Sequence, residues 1–81
     1  MTESELWELI QLAIADLQFK RVSVAPDSYR DRWVHIDDIR QWVEGRRPRL
    51  WSAETITRAV RRMAGYGLLE KRTDGIYALK A

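Results

Sequence analysis

Cysteine is absent from the sequence, which excludes disulfides, thiol nucleophiles and thiolate metal ligands and leaves the redox compartment undefined. Histidine occurs once, at His35. A lone imidazole builds no metal site without further ligands at workable spacing, so no metal is expected. There is no glycine-rich phosphate loop. The one adjacent carboxylate pair, Asp37-Asp38, fits a helix start better than acid–base chemistry. No enzyme, catalytic residue or cofactor is therefore expected. No apolar run approaches the roughly 20 residues of a membrane span. No signal-peptide pattern is read, and the expected location is the cytoplasm or the nucleoid.

What is present suits one small domain. Hydrophobic residues make up 46% of 81, with four tryptophans among them. A core of that size is marginal unless packing or self-association helps it. Charge is unevenly spread. Residues 1–45 carry five basic and nine acidic side chains, a balance of −4, and residues 46–81 carry nine and three, a balance of +6. The basic half implies a polyanionic partner or, more plainly, a solvated arginine-rich surface.

The chain is organised around residues 52–72. Ser52 is a good N-cap, Trp51 and Ile56 stand at the positions of a hydrophobic staple, and Glu54 suits the positive end of a helix dipole. Ile56, Ala59, Val60 and Met63 recur at i, i+3, i+4, i+7 and make one apolar stripe. At about 100° per residue, Glu54, Arg58 and Arg61 point the opposite way, with Thr57 and Arg62 at the margins. Gly65 and Gly67 offer the left-handed conformation that ends a helix over 52–65. A helix with one apolar face and one arginine face suits the DNA major groove.

The run from Thr55 to Arg72, Thr-Ile-Thr-Arg-Ala-Val-Arg-Arg-Met-Ala-Gly-Tyr-Gly-Leu-Leu-Glu-Lys-Arg, resembles the signature of winged helix-turn-helix transcriptional regulators such as the GntR-like and MarR-like families. The close likeness covers about a quarter of the chain. It implies an α+β fold: a small winged helix-turn-helix domain of three helices plus a short antiparallel β-sheet with a hairpin wing.

The rest of the chain is read in that frame. Thr2 and Glu5 could form a capping box, and Leu6, Leu9, Ile10, Ala13, Ile14 and Leu17 keep helical spacing, giving a helix over 3–18. Its stripe is broad, so Trp7 or Leu12 could face a second copy. Residues 19–32 are read as a loop with some extended structure at Val22-Ser-Val24 and a turn at Pro26-Asp-Ser, in preference to an extra hairpin pairing Arg21–Val24 with Trp33–His35; Arg30 and Arg32 could touch a phosphate but are read as solvated. A strand is expected over 33–35, then a helix over 37–44 capped by Asp37 and ended by Gly45. Arg46, Arg47 and Arg49 form a basic cluster between the second and third helices. A hairpin over 68–80 turns at Asp74-Gly75. Its tip, Thr73-Asp74-Gly75, leaves little to enter a minor groove, and Lys71 and Arg72 stand on the strand leading to it, which favours backbone contacts. Tyr66 is read as a packing residue, and Tyr77 and Leu79 as covering the core from one strand face.

The expected function is sequence-specific binding of double-stranded DNA by a small transcriptional regulator, with the 52–65 helix in the major groove. Thr55, Thr57, Arg58 and Arg61 are the expected base or near-phosphate contacts. Amides near Ser52 could hold a phosphate. Arg46, Arg47, Arg49, Arg62, Lys71 and Arg72 would add non-specific affinity. Glu54 could accept from cytosine N4 but is read as serving the helix dipole. A homodimer on two half-sites is expected, and no small-molecule effector is evident. The alternative is a protein-interaction winged helix acting as an adaptor or subunit, for which the tryptophans would serve as anchors.

Overall fold

The first helix, α1, spans Glu3–Val24 in the computed structural model, which describes residues 3–24 and 33–80. Thr2, Arg30 and Arg32, and with them the turn at Pro26, lie outside the described residues. Glu3 and Glu5 occupy the first turn, where the helix dipole favours them. Leu6, Ile10, Ala13 and Ile14 are buried along one side. The helix does not stop at Gln18, as its apolar spacing predicts, but runs on to Val24. Phe19 to Val24 are thus helical, not loop, and Val22-Ser-Val24 is not a strand. The cost of β-branched valines in a helix is only a fraction of about 1 kcal/mol, and the next helix breaker is Pro26. An Asp16–Lys20 pair at 3.1 Å, one turn apart, supports the extra length.

A two-residue strand, β1 (Val34–His35), leads directly into α2 (Ile36–Arg46). The cap of α2 is not Asp37 but His35, whose Nδ1 accepts from the Asp37 amide at 3.1 Å. Asp37 and Asp38 instead lie in the first turn. Gly45 does not end the helix either. It sits inside it, and the chain leaves at Arg47, whose amide donates to the Val43 carbonyl at 2.9 Å. An exposed glycine costs a helix about 1 kcal/mol relative to alanine, which cooperative packing absorbs.

The third helix, α3 (Ala53–Gly65), begins where the sequence says: the Ser52 hydroxyl accepts from the Thr55 amide at 3.1 Å. It ends in a Schellman motif. Gly67 takes φ 80°, the Leu68 amide donates to Met63 O at 2.9 Å, and the Gly67 amide donates to Ala64 O at 3.1 Å. β2 (Leu69–Thr73) and β3 (Ile76–Leu79) then form an antiparallel hairpin across Asp74-Gly75. Lys71 pairs with Tyr77 and Thr73 with Ile76, so Arg72 is an extra residue that bulges β2. β1 pairs with the other edge of β3, giving the order β1-β3-β2.

The result is an α+β domain of three helices and a three-stranded antiparallel sheet. Its core joins Leu6, Ile10 and Ile14 of α1 to Ile39 and Val43 of α2, Ile56, Val60 and Met63 of α3, and Tyr77 of β3. Each such side chain contributes roughly 1.5–3 kcal/mol by leaving water. Leu79 is half-buried beside Tyr77, and Trp7, Trp42 and Trp51 pack against the rim of the core. Among the described residues no helix is long and apolar enough to cross a membrane.

Candidate nucleic-acid interface

The buried stripe Ile56, Ala59, Val60 and Met63 fixes the rotation of α3 about its axis. Glu54, Arg58 and Arg61 must then point away from the core, and all three are exposed. Arg58 Nη2 lies 3.2 Å from Glu54 Oε1, one turn back on the same helix. Arg61 Nη2 lies 3.5 Å from Asp74 Oδ2 at the hairpin turn, and Lys71 Nζ lies 3.9 Å from the other oxygen of that carboxylate. Asp74 thus stands between a cation of α3 and a cation of β2.

Sequence reasoning missed one member of this face. Arg40 of α2 reaches across to α3, where its Nη1 donates to Thr57 Oγ1 at 3.0 Å. Its Nη2 donates to Asp37 Oδ1 on its own helix. Thr57 in turn donates to the Ala53 carbonyl at 2.9 Å, so its hydroxyl is held from both sides. Arg40, Glu54, Thr57, Arg58 and Arg61 together line an open cleft of about 250 Å³. The polar periodicity of α2 marks Arg40 as a surface residue. Its reach to α3 depends on how the two helices cross, which the turn between them sets.

The other predicted residues go elsewhere. Arg62 turns towards α1, where its Nη1 donates to Glu3 Oε1 at 2.7 Å. A hydrogen bond with Tyr66, and then the charge of Glu3, raise its pKa further above the ordinary arginine range. Arg47 also faces α1, with Nε 3.5 Å from Glu5 Oε1. Arg46 lies over the Trp42 ring at 4.4 Å, a cation–π contact. Trp42 Nε1 donates to Asp16 Oδ2 at 3.0 Å, and that bond, with Lys20 behind it, lowers the Asp16 pKa. Arg49 sits in the connecting turn at φ 62°, a conformation few residues other than glycine adopt, and its amide donates to Glu44 Oε1 at 2.9 Å. Thr55 is bound to Ser52, with their hydroxyl oxygens 2.8 Å apart. Arg72 is exposed at the bulge.

The candidates therefore separate. Thr57, Arg58, Arg61 and Lys71 gather on one side of the molecule and Arg40 joins them. Arg46, Arg47 and Arg62 are committed to α1 and α2. Tyr66 is 65% exposed, yet its ring rests 5.8 Å from that of Trp7. The Ser52 side chain and carbonyl already accept from the Thr55 and Ile56 amides, leaving less of the α3 N-terminus for an anion.

Exposed ion pairs of this kind are worth about 0–1 kcal/mol each, so a stronger anion can take the cation, and a base edge can take either partner. The planar guanidinium groups of Arg58 and Arg61 suit bidentate recognition of planar acceptors. Among the described residues no group of three or more histidines, aspartates or glutamates is placed to hold a metal ion. Comparison of the chain with protein-family models, with curated proteins and with solved structures finds no match.

Proposed function

We propose that this chain is a winged-helix protein that binds double-stranded DNA and acts as a small transcriptional regulator. In this reading α3 lies in the major groove and the β2–β3 hairpin is the wing. The observation that carries it is the convergence of Arg40, Thr57, Arg58, Arg61 and Lys71 from three elements on one exposed side. A helix about 10–12 Å across fits a groove about 12 Å wide. Arg58 and Arg61 read bases, Arg40 and Lys71 sit where phosphates flank the groove, and the short wing contacts backbone only. A single module buries on the order of 600–1,000 Å², so useful specificity calls for two copies. Leu12 and Phe19, exposed on α1 at 56% and 73%, favour α1 as the contact between them.

The experiment is fluorescence anisotropy against random-sequence duplex DNA from low to physiological salt. Affinity that falls linearly in log–log salt supports a phosphate-contacting surface. No binding at low salt removes the reading.

A second reading has one observation in its favour. Arg40, Gly45, Pro48, Ala53 and Ile56 line an open groove of about 520 Å³ between α2 and α3 that would take an apolar side chain of a protein partner. The tryptophans do not add to it, since all four are half-buried. Loss of duplex binding together with capture of a partner sensitive to Ala53→Glu would favour an adaptor role.

A further inference from the structure

The outer face of α3, with Arg40 of α2 beside it, pairs each of its arginines with a carboxylate, and α3 itself offers no amide side chain beside them. Arg58 is held by Glu54, Arg61 by Asp74, and Arg40 by Asp37. The chain contains no asparagine, and its three glutamines, Gln11, Gln18 and Gln41, lie outside α3. Side chains that recognise bases divide by chemistry. Arginine spans guanine O6 and N7, carboxylates accept from cytosine N4, and asparagine or glutamine spans adenine N6 and N7. From this face the adenine readers are missing while guanine and cytosine readers stand next to each other.

We infer that α3 selects duplex sites rich in G·C pairs, with Arg58 and Arg61 on guanine edges and Glu54 accepting from a cytosine N4. The inference rests on the DNA-binding reading and names its ligand. The same carboxylates weaken the grip of the three arginines on duplexes that lack guanine at the facing positions, without abolishing binding at low salt. Asp37, Glu54 and Asp74 repel phosphates and hold the guanidiniums by bonds that a bidentate guanine contact replaces better than one phosphate oxygen does. Glu54 is well placed for this second role, because its side chain is 83% exposed and one helical turn from Arg58. Its contribution to the helix dipole stays, but the dipole alone gives no reason for a carboxylate in contact with the central arginine of the face.

Selection of bound sites from a random duplex pool tests the inference, followed by anisotropy on the selected site with guanines replaced by 7-deazaguanine. The expected result is adjoining G·C pairs at the enriched positions and an affinity loss of roughly fivefold or more at each 7-deazaguanine that faces an arginine. Glu54→Gln should move the preference at one enriched position from C towards A and leave the neighbouring positions unchanged. Enrichment of A·T-rich sites overturns the inference while leaving DNA binding intact, and so does selection with no effect of 7-deazaguanine. Absence of any duplex binding by the unaltered protein at low salt overturns the DNA-binding reading itself.

Discussion

Arg40 and Thr57 join α2 to α3 through a hydrogen bond of 3.0 Å from guanidinium Nη1 to the threonine hydroxyl. The bond fixes one helix against the other at the half-buried margin of their contact and holds Thr57 Oγ1 in one orientation. Because Arg40 is also bound to Asp37, its guanidinium spans both helices at the point where they leave the core.

Arg40→Ala is expected to weaken duplex binding and to cost the fold about 1–3 kcal/mol, since the half-buried guanidinium gives up its bond to Thr57 and its pair with Asp37. Thr57→Val removes the acceptor and keeps the shape. If Arg40 acts by orienting Thr57, the double variant should lose no more affinity than the greater single loss. If Arg40 touches a phosphate directly, the losses add and the Arg40→Ala salt slope flattens by about one unit. Anisotropy titrations of the four proteins at several salt concentrations separate the two.

Arg58 and Arg61 face outwards from α3, whereas Arg47 is tied to Glu5 of α1. Arg58→Ala or Arg61→Ala should cost roughly 1–3 kcal/mol on a selected site and relax base preference there. Arg47→Ala should weaken all duplexes alike and only slightly, because the side chain must first leave Glu5. Retained base selectivity in both α3 variants would count against the placement of this helix in the groove. A loss at Arg47 equal to that at Arg58 would mean that the connecting turn enters the site.

Two glycines should respond in opposite directions. Gly45 is helical, exposed, and has nothing within 4 Å of where a Cβ would stand. Gly45→Ala is expected to stabilise by about 0.5–1 kcal/mol, which raises Tm by several degrees in a domain of this size. Gly75 has φ 90°, and its carbonyl accepts from the Ile36 amide at 2.8 Å. A Cβ there meets Ile36 Cγ2 only at ordinary contact distance, 3.6 Å. The cost of Gly75→Ala is therefore one of backbone conformation, about 1–2 kcal/mol. Thermal melts of the two variants give the sign of each.

The sequence makes the local devices legible. Ser52 as a cap, the stripe through Ile56 and Met63, and the turn at Asp74-Gly75 each depend on residues within a turn or two of one another. Their chemistry allows few alternatives. The misreadings have one cause in common. Val22 and Val24 look like strand residues until the preceding helix carries them along, and Gly45 looks like a stop until the core contacts of Val43 hold the last turn of α2. Asp37 looks like a cap, but the side chain of the histidine two places earlier accepts from its amide instead. At the candidate site the outward direction of Arg58 and Arg61 follows from helical phase alone. The fates of Arg62 and Arg40 do not: Arg62 meets Glu3 across a separation of 59 residues, and Arg40 meets Thr57 across 17. Charge density in a loop foretells solvent or phosphate equally well. It cannot foretell that Arg46 will lie over Trp42 or that Arg47 will find Glu5, because those contacts exist only once α1 packs beside α2.

The packing of α1 beside α2 leaves a titratable mark. Trp42 Nε1 donates to Asp16, and Lys20 adds a second favourable partner, so the folded-state pKa of Asp16 lies below that of the unfolded chain. Around and below pH 4 the unfolded state then binds more protons at this position than the folded state. The stabilising contribution is complete above the unfolded pKa and disappears as pH falls through the lower, folded one. Asp16→Asn keeps an acceptor for Trp42 but cannot ionise. Its deficit in Tm relative to the unaltered protein should be greatest near neutral pH and should shrink on acidification from about pH 4 downwards. Trp42→Phe removes the largest cause of the shift and should reduce the pH dependence of that deficit when combined with Asp16→Asn. Melting curves from pH 7 to pH 3 check both, and a deficit that stays constant across the range would mean that Asp16 ionises no more readily in the folded protein than in the unfolded chain.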